Sequence, residues 1–281
     1  MRAWNAAISH IEDHLTEQVS GAELASIALT SEYHFRRMFA TLAGMPLSEY
    51  IRNRRLTAAT AEILAGATVL DTAIRYGYGS ADAFSRAFKT FHGVTPSKAR
   101  EPGAMLHSQS QLKIHISIEG STNVPYRIVE KDAFRLVGFT TQVPIIHLGD
   151  NDAIRQFEQG LDAQTVQALY ALSDVEPVGT LSVTEYLEDD DTQVIYWHAV
   201  ATTVNPPEGM ESQQITAGQW VVFSTEGPAP EAFQQLWATA AAQWFPANPY
   251  EWAPGPQLLK AELNATGDYG QAELWIPIVG T

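Results

Sequence analysis

No cysteine occurs among the 281 residues, so neither a disulfide framework nor a thiolate zinc site is available. No apolar run approaches the roughly 18 residues of a membrane span. Basic residues are scarce, with 17 Lys and Arg against 32 Asp and Glu and a net charge of −15. On that total a polyanionic partner would be repelled, but the charge is unevenly divided. Residues 1–103 hold 11 basic against 10 acidic side chains, and the remainder holds 6 against 22. Several enzyme signatures are missing too: there is no phosphate-binding loop, no G-x-S-x-G elbow and no dinucleotide fingerprint. His10 and His14 lie four apart with Glu12 between them, which is not the H-E-x-x-H order of a zinc protease. No metal or cofactor is expected. The first residues read as an amphipathic helix with acids at Glu12, Asp13 and Glu17, unlike a signal peptide, so a cytoplasmic location is expected.

What is present is concentrated in residues 48–97. A long amphipathic helix leads into Asp71-Thr72-Ala73-Ile74-Arg75-Tyr76-Gly77-Tyr78, then Phe84-Ser85-Arg86-Ala87-Phe88-Lys89, closed by Gly93-Val94-Thr95-Pro96. Gly77 can adopt the positive φ that ends a helix. Phe84, Phe88 and Phe91 repeat at helical spacing as a buried stripe, while Arg86 and Lys89 point elsewhere. The pattern is a helix-turn-helix, and it implies DNA.

The same device occurs earlier. Ser20 and Glu23 form a capping box ahead of Leu24 and Ala28. After a break at Leu29-Thr30, Ser31 caps a second helix through Tyr33, Phe35, Arg36, Arg37, Met38 and Phe39 to Gly44. Pro46 forbids continuation, and Ser48 is expected to cap a connecting helix of about 18 residues, roughly 27 Å. A rod of that length can hold two recognition helices about one DNA turn apart, roughly 34 Å.

Arg55-Leu56, Ala59, Ile63, Ala73, Gly77-Tyr78, Phe84, Arg86, Phe88-Lys89, Gly93 and Thr95-Pro96 fall in order at a spacing that resembles the AraC/XylS family of bacterial transcription regulators. The resemblance covers residues 1 to about 101. It implies an all-α tandem helix-turn-helix domain, residues 1–103, that binds double-stranded operator DNA. Tyr33, Arg36 and Arg37 match the family's DNA-facing positions in the first recognition helix, and Asp82, Ala83 and Arg86 match them in the second. Asp82 departs from the uncharged polar residue expected there; it would accept from a cytosine N4 or orient Arg86.

The chain changes character after Pro102-Gly103. Residues 104–123 read as a linker with a short strand, because Leu112 to Glu119 alternates apolar and polar. Strands are expected at Tyr126–Val129, Phe134–Phe139, Val178–Tyr186, Val194–Val204, Trp220–Ser224 and Ala272–Val279. Helices are expected over 151–172, capped at Asn151 or Asp152, and over 230–244. Glu188 to Asp191 reads as a solvated acidic turn. The order indicates an α+β domain with an internally duplicated layout.

Gly218-Gln219-Trp220-Val221-Val222-Phe223 with Gly227-Pro228, Trp244-Phe245-Pro246 with Tyr250-Glu251, and Glu273-Leu274-Trp275-Ile276-Pro277-Ile278 resemble the GyrI-like effector-binding domain. The match spans residues 124–281 and implies a small-molecule effector as partner. In that family the position of Trp220 is usually Tyr, so the pocket here is expected to be narrower or deeper. The resemblance also implies that Glu273 points into an aromatic-lined cavity and meets lipophilic cations. A carboxylate amid Ile276 and Ile278 costs several kcal/mol to bury unless paired or protonated. A cationic ligand removes that penalty, and Trp or Tyr faces add roughly 0.5–2 kcal/mol. An alternating strand equally places glutamates in water. Tyr196 and Trp220 are the next candidates to line the cavity, and both serve as readily as core aromatics.

The reading is a one-component regulator in which ligand and DNA affinities are coupled, with RNA polymerase as a further partner. Two alternatives come from other classes. One is a hydrolase that uses Glu273 as general base on small electrophiles; the other is a ligand-free interaction module.

Overall fold

Ser20, Ser31, Thr68, Ser80 and Thr95 each stand one residue before a helix, and each side-chain oxygen accepts the backbone N–H three residues on. These caps divide the first part of the chain into short helices. The computed structural model describes residues 2–114, 124–146, 149–187 and 192–281. Two compact units result, Met1–Glu119 and Gly120–Thr281.

In the first unit, α1 spans Arg2–Asp13, α2 Gly21–Ala28, α3 Glu32–Ala43 and α4 Leu47–Leu64. Then follow α5 (Val69–Arg75), α6 (Ala81–His92) and the single turn α7 (Pro96–Ala99). Gly77 has φ +80°, as the break between α5 and α6 requires. The α4 rod has 18 residues, about 27 Å, but it starts at Leu47 with Pro46 as its cap residue. Ser48 is therefore inside the first turn rather than at the cap, because Pro46 already presets the backbone that enters the helix. Phe35, Phe39, Tyr50, Leu56, Phe84 and Phe88 form a continuous core with Ile11 and Leu24. Leu106, Leu112 and Ile114 pack against that core, and Ile114 exchanges two hydrogen bonds with Asn5, both at 2.9 Å. Leu112–Ile114 form no strand; the rest of the strand expected to Glu119 lies outside the described residues.

The second unit is one antiparallel sheet with helices on one face. Its strands are β1 (Tyr126–Lys131), β2 (Phe134–Pro144), β3 (Leu181–Tyr186), β4 (Gln193–Thr202) and β5 (Glu211–Ile215). They continue as β6 (Gly218–Pro228), β7 (Tyr250–Trp252), β8 (Gln257–Leu263) and β9 (Tyr269–Gly280). The strand order is β1-β6-β9-β8-β3-β4-β2-β5, with β7 added to β9. The expected duplication is explicit in that order. Strand, helical segment, strand, strand occurs twice, as β2 to β4 and, with the short β7 inserted before β8, as β6 to β9, and the two repeats meet where β3 pairs β8. The strand before each repeat pairs with the other repeat, β1 with β6 and β5 with β2.

The helix expected over 151–172 is two helices, α8 (Asp152–Gln159) and α9 (Ala163–Tyr170). Asn151 caps the first as expected. Gly160 follows its end, and Asp162 recaps the chain by accepting from Thr165 N–H. α10 runs Glu231–Thr239 and continues as a π-helical turn, Ala240–Trp244. Strands β5, β7 and β8 had no expectation: β5 is Glu-Ser-Gln-Gln-Ile, too polar to show apolar alternation. The acidic turn Glu188–Asp191 lies outside the described residues.

Alternate strand residues point to opposite faces. On one face Val143, Val194 and Tyr196 pack against Ile154 and Phe157 of α8, and Val137 and Val200 against Leu169 of α9. On the other lie Phe134, Trp197, Trp220, Val222, Leu258 and Trp275, all 6% exposed or less.

Candidate functional site

The candidate DNA-reading residues sit at the starts of α3 and α6. Arg36 is half-exposed and its Nε donates to Glu32 Oε1 at 2.9 Å. This pair rests on Gly21, the first residue of α2, where an added Cβ would come within 2.6 Å of Arg36 Nη2 and clash with the Glu32 carboxylate. Glycine leaves room for this pair to lie close over the start of α2, and a larger residue would make the two flexible side chains shift. Arg37 is buried at 4% exposure, with its guanidinium 5.8 Å from the Tyr33 ring centroid. In α6, Asp82 and Arg86 are exposed and Ala83 is half-buried. Asp82 lies in the first turn after the Ser80 cap, where a carboxylate meets the positive end of the helix dipole.

Other arginines of this unit are committed to structure. Arg55 donates to the Leu15 and Glu17 carbonyls, and Arg100 to those of Ile63 and Ala67. Arg54 is paired with Glu12, and Arg75 with Glu62. Arg52 and Lys89 remain exposed. His10 meets Glu23 at 3.1 Å and stacks on His14 at 4.0 Å. Among the described residues no three His, Asp or Glu side chains converge to hold a metal ion, and no helix is long and apolar enough to cross a membrane.

The candidate effector residues divide between the two faces of the sheet. Glu273, Trp220 and Trp275 share the face without helices; Tyr196 points to the other one. There the Tyr196 hydroxyl donates to Glu158 Oε1 at 2.6 Å and lies 3.1 Å from Ser182 Oγ. Burial, then the Glu158 charge, pushes the Tyr196 hydroxyl far above its ordinary value, so it remains a donor. His198 Nδ1 approaches the same carboxylate oxygen at 3.3 Å. This cluster fastens α8 to β4.

Glu273 stands at the edge of the aromatic core, with Lys260 of β8 and Ser224 of β6 directly opposite. The groove beside it is polar, lined by Ser224, Glu226, Lys260, Glu262 and Gln271. Trp220 is 2% exposed and Trp275 is fully buried, so the aromatic floor is packed. Arg127 of β1, which sequence reasoning missed, completes the arrangement. Its Nη1 and Nη2 donate to Glu273 Oε1 and Oε2 at 2.7 and 3.0 Å. The indole N–H of Trp275 donates to Oε2 at 3.2 Å, and the guanidinium carbon lies 5.2 Å from the Trp275 ring. Hydrogen bonding from Arg127 holds the Glu273 carboxyl below the usual carboxylate range. No sequence signal could have found Arg127, since its side chain meets the glutamate only through the register of β1, β6 and β9.

Two family descriptions match the chain: a helix-turn-helix domain over residues 24–102, and an integron-associated effector binding protein over residues 127–278, more than half of the sequence. The chain belongs to the AraC-type regulators that carry a GyrI-like effector-binding domain. It is similar to the right origin-binding protein of Escherichia coli strain K12, 26% identical over 227 residues, covering 77% of this chain and 75% of that one. It is also similar to an uncharacterized HTH-type transcriptional regulator of Bacillus subtilis, YbfP, 36% identical over 100 residues. That match covers 35% of this chain and spans only about a third of the relative's length. Among solved structures, SAV2435 bound to tetraphenylphosphonium matches 56% of this chain and 94% of its own, at 19% identity and a TM-score of 0.45.

Proposed function

We propose that this regulator reads an operator through α3 and α6 and responds to a small lipophilic cation at Glu273. Tyr33, Arg36, Arg37, Asp82, Ala83 and Arg86 form the DNA-reading set, with Arg36 and Arg86 as its base-reading members. Arg37 and Tyr33 act by shaping the surface of α3. On the sheet, Glu273 is the charged determinant and Trp220 the packed floor; Tyr196 supports the sheet from behind. Contact with RNA polymerase belongs to the same proposal and rests on the family alone.

The observation that carries the effector reading is a half-exposed carboxylate beside an indole, already in contact with a cationic group. A carboxylate and an aromatic face are the two elements that recognise an organic cation. The hydrolase alternative asks Glu273 to accept a proton, and a carboxyl held below its ordinary range by a guanidinium is a poor general base. Effector and DNA affinities are then linked by one coupling free energy.

Selection of binding sites by the full chain tests the DNA half. Arg36→Ala and Arg86→Ala should each relax preference at one or two base pairs, by about 1–3 kcal/mol per lost arginine–guanine contact. Unchanged preference in both variants would remove these arginines from the reading surface.

A further inference from the structure

We propose that Arg127 is a resident competitor: it occupies the effector's place on Glu273, and a cationic effector binds by displacing it. The proposal rests on the assignment of Glu273 to cation recognition and says what controls that site. Both carboxylate oxygens are taken by the same guanidinium, at 2.7 and 3.0 Å, and its carbon lies 5.2 Å from the Trp275 ring. One side chain thus meets the charge and the aromatic face together, and an incoming cation cannot reach both while Arg127 remains.

The surroundings make the exchange cheap for Arg127. Its side chain is 41% exposed and rehydrates on release. Glu176 lies 3.7 Å from its Nη2, so a second carboxylate is ready to receive it. Arg127 also rides on β1, which among the described residues is an edge strand paired with β6 alone, and most of the residues of β1 are exposed. Edge strands detach or shift more readily than central ones. Lys131, on the same face, holds its ammonium 5.8 Å from the Trp275 ring, so the site is poised against weak cations. The consequence is selectivity: only a cation that gains more from the indole than the guanidinium does, through a larger apolar surface, wins the carboxylate.

Tetraphenylphosphonium and tetraphenylborate share a shape and differ in charge, which makes them suitable probes for the full chain. Calorimetry on the wild type, Arg127→Met, Glu273→Gln and the double variant should show about tenfold tighter phosphonium binding in Arg127→Met, the size of an exposed ion pair with its cation–π contact. Glu273→Gln should weaken phosphonium binding, and the double variant should match Glu273→Gln. Should Arg127→Met fail to fold, Arg127→Lys decides, because it keeps the charge but loses the two-pronged contact; a gain of a few-fold is expected there.

If Glu273→Gln loses phosphonium binding but neither arginine variant gains it, the competitor is overturned and the Glu273 assignment stands. If phosphonium binds neither wild type nor Arg127→Met, or binds Glu273→Gln equally well, the assignment fails and takes the competitor with it. Stronger binding of tetraphenylborate to the wild type, abolished in Arg127→Met, would also overturn the proposal by making Arg127 the receptor.

Discussion

Glu12–Arg54 in the helical unit and Glu273–Arg127 in the sheet unit are both two-pronged carboxylate–guanidinium pairs, yet their surroundings give them opposite jobs. The Glu12 and Arg54 side chains are 10% and 11% exposed, against 31% and 41% for Glu273 and Arg127. Glu12 also accepts the Tyr50 hydroxyl at 2.7 Å and the Gln111 amide at 3.2 Å. Arg54 reaches on to the Gln109 carbonyl, and Tyr50 receives the Leu112 N–H at 3.1 Å. One part-buried network therefore ties α1, α4 and the segment after α7 together. The Glu273 pair has Glu176 3.7 Å from Arg127 and Lys260 opposite Glu273 on β8, and solvent reaches both of its side chains. A desolvated pair is costly to break because the remaining charge has no water to return to. A half-exposed pair exchanges partners at little cost. The same bond is structural in one unit and displaceable in the other.

The sharpest way to break this contrast is Arg54→Met. It leaves the largely enclosed Glu12 carboxylate beside Tyr50 without its cation, and the helical unit should lose about 3 kcal/mol. Urea unfolding of the full chain, followed by the helical far-UV signal, measures it. Adding Glu12→Gln to Arg54→Met should restore part of the loss, since the stranded charge is then gone. A loss below about 1 kcal/mol in the single variant would place Glu12–Arg54 with ordinary surface pairs.

Acid titration gives a smaller effect of defined sign. Burial alone would raise the Glu12 carboxyl, but hydrogen bonds from Arg54 and Tyr50 outweigh it and hold the group below the usual range. A group depressed in the folded state contributes stability that is complete above the ordinary carboxylate range and lost as pH falls through the folded value. The helical unit should thus weaken on acidification, and Glu12→Gln should flatten that decline from a lower plateau at neutral pH. Glu273→Gln should leave the slope of the sheet unit nearly unchanged, because its pair is largely screened by solvent. Urea midpoints across a pH series test both, and parallel curves for Glu12→Gln and wild type would sink the argument.

Neither pair was legible in the sequence, and the reason is distance along the chain. Ser20, Ser31, Gly77 and the Phe84–Phe88 stripe were readable because caps, breaks and stripes act over three or four residues. Arg54 and Glu12 meet across 42 positions and Arg127 and Glu273 across 146, so only the finished packing joins them. Tyr196 shows a second limit. Val-Ile-Tyr-Trp-His-Ala-Val in β4 is largely apolar on both parities because its residues are buried on both faces of the sheet, so alternation could not say which face the tyrosine takes. Its neighbour Trp197 is the one that shares the aromatic core with Trp220 and Trp275. The duplicated layout was readable from element order, whereas β5 was hidden by its polar sequence at the sheet edge.

The smallest effect belongs to Arg127→Met measured without any ligand. Glu273 is already 31% exposed with the guanidinium in place, and without it the Trp275 indole N–H at 3.2 Å and Lys260 opposite on β8 remain. That carboxylate has water, a hydrogen bond and a neighbouring cation, so it is not stranded as Glu12 would be. The methionine retains much of the arginine's apolar contact with the Trp275 face, which limits the packing loss. Unfolding free energy should therefore change by less than about 1 kcal/mol, the range of exposed ion pairs. The same substitution is expected to move cation affinity about tenfold, and this split between binding and stability is what separates a competitor from a strut. A stability loss as large as that of Arg54→Met would show that the sheet needs Arg127 where it is, and the two pairs would then be alike.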